Sequence, residues 1–274
     1  MPELPEVETI RQDLLNHVKG KSILAVEVRD RRVIFGELDD FLKKCRGKEI
    51  FDIARRGKAV VISLKGGGYL IVQLGMTGQL VCSSAAGCAS HTDKSTKIIF
   101  QLSNDLALLY NDQRLFGRVY VADHLEDVAF FKTIGPEPLG VDFNVAWLIE
   151  QLKKRKSPIK SLLLNQQFVA GIGNIYASEI LFDAQIKPQR LAYRLRLTEI
   201  ESLYRSTIRI LQKAIRYRGT SMRNYRDGLG RQGQFKNRIK VYGREAEHCL
   251  VCRTPIERIV QSGRSTFYCR KCQR

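Results

Sequence analysis

Acidic residues are scarce in this chain: 28 Asp and Glu stand against 46 Lys and Arg, leaving a net charge of +18. That deficit speaks against a basic partner or substrate and for a polyanionic one, with nucleic acid first in line. A ribosome-like or merely supercharged surface is the other reading, and composition does not separate the two. Long apolar runs are missing as well. No stretch reaches the roughly 18 residues of a membrane span, and no basic-then-apolar leader opens the chain, so a cytoplasmic protein is expected. No internal repeat is visible, which sets solenoids aside. At 274 residues and 44% hydrophobic content, the chain is long and apolar enough for a sizeable core and two domains.

What is present begins at the first residues. Met1-Pro2-Glu3-Leu4-Pro5-Glu6-Val7-Glu8 packs two prolines and three carboxylates ahead of apolar positions at Val7, Ile10, Leu14 and Val18. That spacing predicts one face of a helix. Pro5 suits its first turn, Glu6 and Glu8 favour its dipole, and Gly20 stops it. Two readings of the opening stand side by side. It is a helix cap, or it is a reactive centre. Removal of Met1 would leave Pro2 as a secondary amine beside a positive helix end, where the neutral, nucleophilic form is favoured. Glu3 then stands next to it as a proton donor.

Short β-branched or alternating runs follow at 23–28, 59–64, 69–74, 98–102 and 106–110, separated by turn residues at 65–68 and 103–105. They predict a β-sandwich or barrel. The small, polar 83–95 stretch reads as a loop, and Gly135-Pro136-Glu137-Pro138-Leu139-Gly140 as an interdomain linker. Helical signals follow. Ser157-Pro158 reads as a cap and first-turn proline, and Thr198 with Glu201 as a capping box before an apolar face at Ile200, Leu203, Thr207, Leu211 and Ile215. Residues 216–240 carry eight basic side chains and one acid, Asp227, as a glycine-rich basic loop.

Seven cysteines complete the signal, and four of them are spaced Cys249-x2-Cys252-x16-Cys269-x2-Cys272. Two such pairs match a closed, tetrahedral zinc site. Two disulfides are the alternative, disfavoured in a reducing compartment. A tail of about 30 residues needs such a staple to fold. Cys45, Cys82 and Cys88 lack ligand spacing and read as ordinary thiols. Gln261-Ser262-Gly263-Arg264-Ser265-Thr266 reads as a hairpin tip carrying a guanidinium, either solvated or reaching phosphate. In Gly171-Ile172-Gly173-Asn174-Ile175-Tyr176 the glycines allow close backbone approach ahead of a helix from about Asn174, for a phosphate or for packing alone. Leu74-Gly75-Met76-Thr77-Gly78 places Met76 on a glycine-flanked tip, where it packs in a core or fills the gap left by an extruded base.

Taken together, these segments resemble the bacterial formamidopyrimidine-DNA glycosylase family, the base-excision repair enzymes also called 8-oxoguanine DNA glycosylases. The resemblance spans nearly the whole chain, down to Thr266-Phe267-Tyr268-Cys269 at its end. It implies an α+β protein with an N-terminal β-sandwich catalytic domain flanked by helices (1–134) and a linker (135–144). A helical domain with a helix–two-turn–helix motif and a basic lesion-capping loop (145–240) would follow, then a zinc finger (241–274). It further implies a bifunctional DNA glycosylase/AP lyase that removes oxidised purines from duplex DNA through a Schiff base on Pro2, with β,δ-elimination. Glu3 would be the acid partner, Lys58 an active-site cation and Arg264 a grip on phosphates at the lesion. Met76, Arg114 and Phe116 would form the wedge, while Asn174, with Gln73 and Tyr176, would contact DNA. One structural zinc on Cys249, Cys252, Cys269 and Cys272, a monomer, no membrane partner and a bacterial cytosol or nucleoid location complete the expectation. DNA would lie across the cleft at the linker.

Departures from the family pattern are local. Gln73 stands where histidine is usual, and Arg218 where glycine is usual. Asn111-Asp112-Gln113-Arg114-Leu115-Phe116-Gly117 replaces His-Asp-Pro-Arg-Arg-Phe-Gly, so Leu115 removes a cation beside the wedge. The capping loop around Thr220, Ser221 and Tyr225 matches mainly by position. An endonuclease VIII-like preference for oxidised pyrimidines is disfavoured by Leu4 and Val7. A non-catalytic lesion binder, with Met1 kept, is the alternative from another class.

Overall fold

A computed structural model describes residues 2–84, 87 and 92–274. Cys88 and part of the polar 83–95 loop lie outside the described residues. The chain divides into two compact units. One takes residues 1–133 and 217–236, the other 134–216 and 237–274.

In the first unit, helix α1 (Leu4–Val18) follows the apolar spacing, with Val7, Ile10, Leu14 and Val18 all fully buried. Burying each such side chain contributes about 1.5–3 kcal/mol. Gly20, at φ +77, turns the chain after the helix. Two sheets follow. Strands β1 (Ile23–Val28), β6 (Gln79–Ser84), β7 (Thr96–Leu102) and β8 (Leu106–Asn111) form one antiparallel sheet in the order β1-β7-β8-β6. The other contains β2 (Ile34–Phe35), β3 (Ile50–Arg56), β4 (Ala59–Leu64), β5 (Tyr69–Gln73) and β9 (Arg118–Ala122), ordered β2-β9-β5-β4-β3. Its short β2–β9 pair is parallel and the rest antiparallel. The apolar face of α1, Ile53, Val60 and Val72 of one sheet, and Leu80, Phe100 and Tyr110 of the other share one core. The expected sandwich is therefore present. Helix α2 (Leu38–Cys45) closes part of it with Phe41 and Cys45, and α3 (Ala129–Thr133) ends the unit.

In the second unit, α4 (Val145–Lys153), α5 (Ile159–Leu164), α6 (Asn174–Asp183) and α7 (Leu197–Arg216) precede the hairpin β10 (Glu257–Gln261)–β11 (Arg264–Tyr268). Three local expectations shift. Pro158 occupies the cap position of α5 and not its first turn. The cap of α7 is made by Glu199, whose carboxylate accepts the Arg196 N–H at 2.9 Å; Thr198 and Glu201 fall inside the helix. The segment read as a linker is packed, with Gly135 N–H on Gln166 O at 2.8 Å and Ala170 N–H on Pro136 O at 3.0 Å. Residues 217–236, grouped by sequence with the helices, are instead held in the first unit by the contacts described next.

Candidate functional site

The first turn of α1 is organised by Glu6, a residue with 1% exposure. Its Oε2 accepts the Glu3 N–H at 2.7 Å, completing a capping box with Glu3. Its Oε1 accepts the Thr220 N–H, also at 2.7 Å. Tyr225 Oη donates to the Glu6 carbonyl at 3.3 Å, and Ser221 Oγ donates to Tyr225 O at 2.8 Å. Gly219, at φ +76, is required here: a β-carbon would sit 2.7 Å from Glu6 Oε1. Burial, then the charges of Glu6 and Asp227, push the Tyr225 phenol well above its ordinary range, so it stays a neutral donor.

Pro2 and Glu3 are both buried at this turn. Arg55 Nε donates to Glu8 Oε2 at 3.1 Å and ties β3 to the same helix. The β3–β4 turn is Gly57-Lys58, two residues long, with Gly57 at φ +57. Lys58 is half-buried there. The structure thus groups Pro2, Glu3 and Lys58 in one unit, on a helix start and a hairpin tip linked through Glu8 and Arg55.

Met76, Arg114 and Phe116 lie on two neighbouring loops, and all three are exposed. The Arg114 guanidinium lies 4.7 Å from the centre of the Phe116 ring. One buried carboxylate holds both loops. Asp112 Oδ1 accepts Thr77 Oγ1 at 2.6 Å and the Arg114 N–H at 3.2 Å, while Oδ2 accepts the Gly117 N–H at 2.8 Å and Tyr110 Oη at 3.3 Å. At Gly75 a β-carbon would meet the Phe116 backbone at 2.5 Å, so the loops touch main chain to main chain. Leu115 sits at φ +58, packed against the core. Arg118 donates to Leu115 O at 3.1 Å and Gly117 O at 2.9 Å, so a guanidinium braces this turn. Gln73 lies in β5 and accepts Tyr120 Oη at 3.2 Å.

In the second unit, Asn174 opens α6 and donates to Ser265 O at 2.9 Å. Lys160, 1% exposed, donates to Asn174 Oδ1 and Thr266 Oγ1, both at 2.6 Å. Asn174 and the hairpin strand that carries Arg264 are therefore fixed against each other. Arg264 is exposed, next to the two-residue turn Ser262-Gly263, where both residues take positive φ. Tyr176 is fully buried, and its ring packs inside the unit. Glu179, also on α6, accepts the N–H groups of Lys240, Val241 and Tyr242 at 2.8–2.9 Å and anchors the chain leading into the tail.

Cys249, Cys252, Cys269 and Cys272 converge, with all four sulfurs within 4.8 Å of one another. The nearest pairs stand 3.3 and 3.9 Å apart, against about 2.05 Å for a disulfide and about 3.8 Å between sulfurs around a tetrahedral zinc. The cysteines are free. The disulfide alternative falls, and the donor set fits a closed, four-coordinate ion. Ile256 and Phe267 are among the few apolar side chains beside it, and they share one small cluster with Val241 and Phe182 of α6.

Two kinds of residue escaped sequence reading. Glu6 and Asp112 act on partners far along the chain, Thr220 and Thr77, while Asp227, the one acid of its loop, is held by near neighbours Arg218 and Arg231. Lys160 did leave a trace: it follows Ile159 and precedes Leu162 and Leu163, a cation placed among core positions.

Comparison with known proteins covers the chain end to end. Residues 1–119 match the formamidopyrimidine-DNA glycosylase N-terminal domain, 134–226 that family's H2TH domain, and 246–274 a zinc finger found in FPG and IleRS. A formamidopyrimidine-DNA glycosylase of Desulforamulus reducens is 40% identical over 278 residues, covering 100% of this chain and 99% of the relative. The Lactococcus lactis protein, solved as a variant bound to Fapy-dG-containing DNA, superposes with a TM-score of 0.92 at 35% identity, covering 100% of both chains. Its complex with abasic-site DNA gives 0.91 at 35% identity, with 99% of each chain covered. Among the described residues, no helix is long and apolar enough to cross a membrane.

Proposed function

The chain belongs to the formamidopyrimidine-DNA glycosylase family of DNA repair enzymes, and on that footing we propose that it is a bifunctional DNA glycosylase/AP lyase acting on oxidised purines in duplex DNA. The observation that carries the proposal is the buried first turn of α1, where Pro2 precedes Glu3 and the Glu6 carboxylate holds the Glu3 N–H.

With Met1 removed, Pro2 is a secondary amine kept neutral by burial and the helix dipole. Its nitrogen lone pair attacks the anomeric carbon of an extruded nucleotide. The bond from that carbon to the base breaks, and the base leaves with the electron pair and takes up the proton that the Pro2 nitrogen sheds. Glu3 donates a proton to the ring oxygen as the sugar opens and the carbon–nitrogen double bond forms. Loss of a proton from the adjacent sugar carbon then expels the 3′ phosphate, and a second elimination expels the 5′ phosphate. Lys58, on the tip of its hairpin, would contact the phosphate backbone nearby.

Met76, Arg114 and Phe116 would enter the duplex as a unit, because Asp112 fixes both of their loops. Asn174 and Arg264 would bind phosphates from a frame set by Lys160. Tyr176 supports that frame from inside. Zinc on the four cysteines would supply folding energy for the tail that carries Arg264.

Duplexes with single defined lesions test the reading. Release of 8-oxoguanine and formamidopyrimidines opposite cytosine, with strand cutting, is the expected result. Activity confined to oxidised pyrimidines would overturn the substrate class, and binding without base release would overturn the enzyme.

A further inference from the structure

Arg218 has φ +60, a left-handed conformation unfavourable to an L side chain, which explains a glycine at this place in the family pattern. Here the arginine has a use. Its Nε donates to Asp227 Oδ2 at 2.7 Å, and its Nη2 reaches Asp13 Oδ2 at 2.5 Å. Asp227 is fully buried and Asp13 is 6% exposed. Arg231 approaches the same two carboxylates, at 3.1 Å to Asp227 and 3.5 Å to Asp13. Two buried negative charges thus meet two guanidiniums, which satisfies the rule that buried charges come paired. The remaining acceptor sites take backbone: Asp227 Oδ1 accepts Leu229 and Arg231 N–H groups at 3.0 and 2.9 Å, and Asp13 Oδ2 accepts the Gly228 N–H at 3.1 Å. Burial alone would raise the Asp227 carboxyl, but the Arg231 N–H, the Arg218 side chain and the Leu229 N–H together hold it below its ordinary range.

Position matters more than the pairing itself. Asp13 stands seven residues after Glu6 on α1, two turns along the same face. Segment 217–236 is therefore held to one face of α1 at two places: Thr220 on Glu6, and Arg218 with Gly228 on Asp13. Glu6 also holds the Glu3 amide. A shift of the segment would be felt at Glu3 through a single carboxylate.

We propose that Arg218 is a positioning residue for base removal: by bridging Asp13 and Asp227 it seats residues 217–236 on α1, so that Glu6 holds the amides of Thr220 and Glu3 in one geometry. The proposal rests on the glycosylase reading above, and its test separates the two. Arg218→Gly suits the local backbone and removes only the bridge, while Arg218→Lys keeps the charge but loses the planar fork, in which Nη2 meets both carboxylates and Nε adds a second bond to Asp227. Amide hydrogen exchange is measured without DNA, and single-turnover base release and cutting of a pre-formed abasic site are measured separately.

In Arg218→Gly, exchange at Thr220 and Gly228 should speed by about tenfold or more, as expected for loss of charge-assisted bonds. Base release should slow by a similar factor, and abasic-site cutting by less than about twofold, because that step needs the amine and not the departure of a base. Arg218→Lys should recover part of both losses. Unchanged exchange overturns the clamp. Faster exchange with unaltered base release, or equal loss of both chemical steps, overturns the positioning role. Wild-type protein that releases no base would sink the glycosylase reading, and the exchange measurement would still decide the clamp.

Discussion

The carboxylate of Glu6 accepts the backbone N–H of Thr220 at 2.7 Å, across 214 positions of sequence. The same side chain accepts the Glu3 N–H, so the start of the chain and the 217–236 segment share one acceptor. Glu6→Gln offers a single acceptor oxygen and turns an NH2 group toward one of the two amides. A buried donor losing its acceptor costs about 1–3 kcal/mol. Stability should fall by that amount, read from denaturant midpoints at constant slope, with slower base release. A midpoint equal to wild type would show that Glu6 does not join the two segments.

Asp112 has the corresponding role in the two loops proposed as the wedge. Asp112→Ala leaves the Thr77 hydroxyl and the Arg114 and Gly117 N–H groups without their shared acceptor. A loss of about 3 kcal/mol is expected, with weaker binding to lesion duplexes because Met76 and Phe116 no longer move as one. A change below about 0.5 kcal/mol, typical of an ordinary surface substitution, would remove Asp112 from this role.

How much of this was legible in the sequence follows from how local each signal is. Val7, Ile10, Leu14 and Val18 repeat at helical spacing, and all are buried on one helix face. The β-branched runs became strands, and the paired cysteines converged as their spacing suggested. Asp112, Asp13 and Asp227 were opaque because an isolated acid looks the same whether it is solvated or buried with partners, near ones as for Asp227 with Arg231 or distant ones as for Asp13 with Arg218. The family resemblance groups the 217–236 segment with the helices. Its membership in the first unit depends on Glu6 and Asp13. Leu115 read as a missing cation; at φ +58 it packs inward, while Arg118 braces its carbonyl.

Metal removal should act on the tail selectively. Elemental analysis should give about one zinc per chain, and chelation or Cys269→Ser should unfold residues 245–274, since binding energy there is folding energy. DNA affinity should fall. Arg264→Ala in the metal-loaded protein should flatten the slope of log K against log salt by up to about one unit. Full affinity in metal-free protein, or an unaltered salt slope, would contradict the proposed role of this hairpin.

The central claim is that Pro2 is the nucleophile, and borohydride trapping tests it most directly. An imine is reduced by borohydride to a permanent amine, so incubation with a duplex carrying 8-oxoguanine opposite cytosine should give a covalent protein–DNA adduct at the N-terminal peptide. Intact mass should first show Met1 removed. An added N-terminal extension converts the amine to an amide, whose lone pair is delocalised, and should abolish trapping and cutting while sparing zinc content. Glu3→Gln should suppress base release with the amine intact. An adduct mapped to Lys58, with the extended protein still active, would contradict the account.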